Sequence, residues 1–174
     1  MWNPPSRTVV GSTALSRDTS RQRESDCEAP SQLTGCIVAL MATILAHITV
    51  KPGAERRFEQ IARELYLATH ERETDVHRYE YWRGRDPGSY YTLLSFESFA
   101  AFIVHQTSVH HETASPALGE VIESLRLEWV DPITGASPLV PTEGADIGSG
   151  GTELQQLYAV RYAAQVAEWW EGLR

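Results

Sequence analysis

The chain has 174 residues, 42% hydrophobic and 22% charged, which suits one globular domain with tails. A formal net charge of -8 excludes a general affinity for nucleic acid or anionic membrane surfaces, since like charges repel. The longest apolar run, Ile37 to Ile48, falls short of the roughly 20 residues a membrane span needs, and it starts too deep for a signal peptide. A cytoplasmic location is therefore expected. Cys27 and Cys36 both fall in an irregular segment and imply no disulfide framework or metal knuckle.

Residues 1–40 are rich in Ser, Thr, Arg, Asp and Pro and carry no sustained hydrophobic period. Such a segment buries too little apolar surface to offset its ordering entropy, so a disordered leader is expected. Met41 opens the first patterned segment and is the expected true start of translation.

Thr43 to Val50 alternates and is rich in β-branched residues, which predicts a strand stopped by Lys51-Pro52-Gly53. Ala54 to His70 carries Phe58, Ile61, Ala62, Leu65 and Ala68 at helical spacing. Val76 to Arg83 and Tyr90 to Phe96 read as two strands joined through Gly84-Arg85-Asp86-Pro87-Gly88. Ser98 can cap a second helix carrying Phe99, Phe102, Ile103 and Gln106. Ser115-Pro116 has the form of an N-cap followed by proline at the first helical position, predicting a further helical stretch to about Ser124. Leu125 to Val130 is the last strand.

The order β-α-β-β-α-β is the ferredoxin-like split arrangement, α+β in class, with an antiparallel sheet and helices on one face. The other sheet face needs a cover, and a second copy of the chain would supply it. Domain 41–133 is then followed by a linker, 134–152, and a helical tail, 153–174. The tail is expected to dock, because Trp169-Trp170 is too much apolar surface to leave in water.

Ala46-His47-Ile48-Thr49-Val50-Lys51-Pro52-Gly53, Arg78-Tyr79-Glu80 and His105-Gln106-Thr107-Ser108-Val109-His110-His111 together resemble the antibiotic biosynthesis monooxygenase (ABM) domain. The resemblance spans about Met41 to Ile133. It implies a dimeric α+β barrel with a pocket between sheet and helices. It also implies oxidation of a small aromatic or quinol-type substrate by molecular oxygen, in several members without metal or flavin. Two departures stand out. Leu94 and Phe96 occupy positions where the family often has Glu and Trp, and no Gly precedes the second strand in Glu73-Thr74-Asp75-Val76.

Oxygenation without a cofactor needs a base with a pKa near working pH, which suits histidine. His105 and His110 match the family's histidines and are the candidate bases; capping of a helix C-terminus is the bland alternative. Tyr79 matches the second-strand tyrosine and is a candidate catalytic residue, orienting a substrate oxygen, or else a core tyrosine. Trp82 lies on the opposite strand face from Tyr79, so only one of them can face the pocket without a bulge. His47, Trp82 and Phe96 complete the candidate substrate contacts, though a histidine placed like His47 is more often a satisfied interface residue. The five-residue gap between His105 and His110 does not place them on one helical face, so no metal centre is expected. No cofactor is expected either, with haem on His105 or His110 as an alternative. The rival to an enzyme is a non-catalytic dimer that binds a small ligand.

Overall fold

Alternation of small and branched apolar residues makes β1, Ala42–Val50, the centre of the sheet. In the computed structural model, which describes residues 41–142, 147–171 and 173, the strand order is β2-β3-β1-β4 and every pairing is antiparallel. The expected leader and the proposed start at Met41 concern residues that lie outside this description. The remaining strands are β2, Val76–Arg83, β3, Ser89–Phe96, and β4, Ile122–Trp129.

Ala42, Ile44, Ala46, Ile48 and Val50 are buried on one face of β1, as the period of two requires. Tyr90, Leu94 and Phe96 of β3 continue that face, and Tyr79 of β2 joins it through its register with Leu94. Helix α1, Glu55–Arg72, covers it with Phe58, Ile61, Ala62 and Leu65. Helices α2, Phe99–Gln106, and α3, Val109–Val121, complete the layer. The opposite face, with Leu45, His47, Tyr91 and Leu93, carries no helix among the described residues and stays partly exposed there. This is the ferredoxin-like α+β fold.

The hairpin between β2 and β3 depends on Gly88. Its φ is +74°, and a Cβ there would stand 2.9 Å from Val50 O. Gly88 O in turn accepts from Val50 N at 2.8 Å, tying the hairpin to β1.

One helix differs from the sequence reading. α3 opens at Ser108, whose hydroxyl accepts from His111 N, and Pro116 sits inside the helix. Ser115 does not cap; its hydroxyl donates back to His111 O at 3.1 Å. Two N-cap signals compete in this stretch, and the earlier one wins because it extends α3 along α1.

Beyond β4 the segment expected to be a linker touches the domain: Thr142 is fully buried, its Oγ1 donating to Val130 O and accepting from Thr43 N. Helix α4, Glu153–Arg161, is held at its start by a capping box of Thr152 and Gln155. The tail docks through Tyr158 and Tyr162 of this region, which pack on the core. Trp169, in the short α5, Glu168–Glu171, remains 74% exposed, so the tryptophan pair is not the main anchor. No helix among the described residues is long and apolar enough to cross a membrane.

Candidate active site

A cavity of about 390 Å³ lies between the sheet and the helices. Ala46, Ile48, Leu94 and Leu127 of the strands form its apolar floor, with Leu118 of α3 above. Its polar groups from the domain are Tyr79, Tyr81, Thr92, Gln106, His111 and Ser115, and the tail closes it with Tyr158, Arg161 and Tyr162. Tyr79 and Tyr81 are two apart on β2, so both rings point to the helix side, with their hydroxyls 2.9 Å apart. Burial pushes the Tyr79 phenol well above its usual range, helped by Tyr81 and Glu73, and pushes Tyr81 up to about 12. Both therefore remain neutral hydrogen-bond donors at physiological pH.

Behind this wall two histidines meet one carboxylate, with His111 of the wall packed against one of them. Glu73, in the turn between α1 and β2, accepts from Nδ1 of fully buried His105 at 2.9 Å and pairs with Nε2 of His110 at 2.8 Å. Its bond to His105 fixes the proton on Nδ1 and leaves Nε2 as the acceptor nitrogen, which has no partner among the described residues. His105 packs against Tyr79 at 4.8 Å, Phe96 at 5.0 Å and His111 at 5.1 Å between ring centroids. The imidazole of His111 is pushed down to about 3, chiefly by burial and then by the other two histidines, so it is neutral. His110 is also lowered, mainly by burial, with Glu73 opposing.

Spacing reasoning excluded a shared face for His105 and His110 on a single helix. The chain breaks at Thr107 and Ser108, so the two rings come from separate helices and converge on Glu73. Glu73, His105 and His110 thus offer three donor atoms within 4.8 Å of one another, a set that suits a divalent transition ion. The hydrogen bonds to Glu73 satisfy the same atoms without one. Of the two histidines named for haem, neither His105 nor His110 lies on the cavity wall, whereas His111 does.

Residues 41–117 match the family model described as antibiotic biosynthesis monooxygenase. Over this stretch the chain resembles an ABM domain. Three solved structures share its fold, each with a TM-score of 0.52. A candidate antibiotic biosynthesis monooxygenase of Caulobacter crescentus is 22% identical over 55% of this chain and 92% of its own. One of Bacteroides thetaiotaomicron is 16% identical over 62% and 97%, and one of Nitrosomonas europaea 14% identical over 57% and 96%. At these identities the likeness is one of fold. A search of curated proteins finds no match.

Within this stretch the structure brings Tyr79, His105, His110 and Phe96 together, but only Tyr79 of these is on the cavity wall. Phe96 is core, fully buried against Phe102 and His105. His110 borders a separate groove between α1 and α3. Trp82 faces away from the cavity, 58% exposed, beside a groove at the β2 edge of the sheet. His47 lies on the open sheet face, bonded to Glu128 at 2.9 Å with Tyr91 against its edge. Sequence reasoning missed Tyr81, which the period of two from Tyr79 would have found. It also missed Glu73, whose position in a turn carries no periodic signal.

Proposed function

We propose that the ABM-like domain oxidises a small aromatic, quinol-type substrate with molecular oxygen inside this cavity, without a cofactor. The reading rests on one observation: a largely apolar cavity whose polar groups include a neutral tyrosine pair and a wall histidine backed by the Glu73–His105 pair. Tyr79 or Tyr81 donates to the substrate oxygen and stabilises the anion formed when a proton leaves. His111 takes that proton, with His105 and His110 behind it. The imidazolium so formed is favoured by the adjacent substrate anion, which offsets the effects that depress His111 in the empty cavity. The anion passes one electron to oxygen, and recombination forms a carbon–oxygen bond to a hydroperoxide. Loss of water then converts an activated methylene to a carbonyl. The balance is one methylene and one dioxygen in, one carbonyl and one water out, so both oxygen atoms are accounted for.

A second reading is favoured by a specific observation. Of the wall groups with displaced pKa values, none lies near neutrality, where a base works best; His111 is near 3 and Tyr81 near 12. A cavity of that kind also suits a ligand-binding protein without chemistry. Oxygen uptake by metal-stripped protein on a panel of anthrones and hydroquinones separates the two. Uptake insensitive to chelator and reduced roughly 100-fold or more in His111→Ala is the expected result, with His105→Ala and His110→Ala as companions. Saturable binding without uptake would establish the ligand-binding reading.

The open sheet face is read as the subunit interface. Leu45, His47, Tyr91 and Leu93 leave it partly exposed, and two such sheets packed face to face make a dimeric α+β barrel.

A further inference from the structure

Arg161 is the one wall residue of the cavity that carries a formal charge at neutral pH, beside neutral phenols, a neutral imidazole and an amide. It stands in the last turn of α4, outside the residues that match the ABM model. Its guanidinium carbon lies 5.2 Å from the Tyr162 ring and 6.0 Å from the Tyr158 ring. Those rings orient the cation without neutralising it. Among the described residues no carboxylate pairs with it; Glu112, on α3 beneath, accepts the Tyr158 hydroxyl at 2.9 Å instead. Arg161 is solvent-exposed where the tail meets the cavity; an unpaired guanidinium at the rim of an apolar space is a fork for a carboxylate, and it attracts anions that the net charge of -8 would otherwise repel.

We infer that the cavity selects aromatic substrates bearing a carboxylate or equivalent anionic group, and that Arg161 of the tail is the specificity-determining residue. This rests on the reading that the cavity binds an aromatic molecule, and the test keeps the two apart. The dissociation constants of 2-naphthoate and 2-naphthalenemethanol, which share a ring system and differ in charge, are measured on the full chain at pH 7 by calorimetry. The acid is expected to bind about five- to tenfold more tightly than the alcohol at low salt, with the ratio shrinking as salt rises. Arg161→Gln should bring the ratio to about one, and Arg161→Lys should keep part of it. Leu118→Trp, which fills the cavity from α3, should weaken both probes. A ratio near one in the unaltered chain, or a ratio above one that persists in Arg161→Gln, overturns the inference while leaving the cavity reading standing; undiminished binding of both probes in Leu118→Trp overturns the cavity reading and the inference with it. Binding of neither probe overturns both.

Discussion

Glu73 sits where two imidazole nitrogens converge, and the ring of His105 is wedged among Tyr79, Phe96 and His111. One carboxylate cannot balance three imidazolium charges, and burial together with the neighbouring imidazoles lowers His110 and His111. A different residue pair contributes to acid stability. Arg83 donates to Glu59 at 2.6 and 2.7 Å, and Tyr90 adds a third bond, together holding the Glu59 carboxyl down at about 2 from its ordinary 4.5. A carboxyl depressed on folding contributes stability that is complete above the unfolded value and lost as pH falls through the folded one. Thermal denaturation should therefore show a loss of Tm between about pH 4.5 and 2 that is shallower in Arg83→Gln. An acid limb of equal slope in the two proteins would show that the pair contributes nothing. Solvent exposure of Arg83 keeps the effect small.

Among the elements, the strands were the most legible. β2 runs from Val76 to Arg83 as its alternation indicates, and β3 begins one residue earlier than expected. α2 was legible through its cap, Ser98, which accepts from Ala101 N. α3 was not, because Ser108 and Ser115-Pro116 are both adequate N-cap signals and only packing against α1 distinguishes them. The candidate site was legible where it lies on a periodic element, as with Tyr79. It was opaque where it depends on a turn, as with Glu73, or on a tail folding back, as with Tyr158 and Arg161. α4 spans nine residues and owes its start to the Thr152–Gln155 box. Thr152→Ala should cost that helix about 1 kcal/mol. Amide hydrogen exchange at 156–161 is expected to accelerate roughly fivefold while β1 amides stay unchanged. Uniform acceleration across α4 and β1 would mean that the tail unfolds only with the whole domain.

For the whole molecule, the layered arrangement leaves one face of a four-stranded sheet half-covered. Leu45 and Leu93 are neighbours on that face, paired across β1 and β3. A charge placed at Leu45 would be desolvated in a face-to-face pair but solvated in a monomer. Leu45→Arg should therefore halve the mass seen by light scattering at micromolar concentration while the far-ultraviolet circular dichroism is retained. A monomeric mass for the unaltered chain would refute the barrel.

Lys51 is the only lysine in the sequence. Its ammonium donates to Glu120 O at 2.6 Å and Gly119 O at 3.4 Å, at the end of the helix that roofs the cavity. Amine-directed acylation therefore has a single side-chain target on this protein. Because Lys51 is solvent-exposed, acylation would remove its bonds to Gly119 O and Glu120 O at the end of α3, a single-site chemical test of whether that tie steadies the roof without any engineered residue.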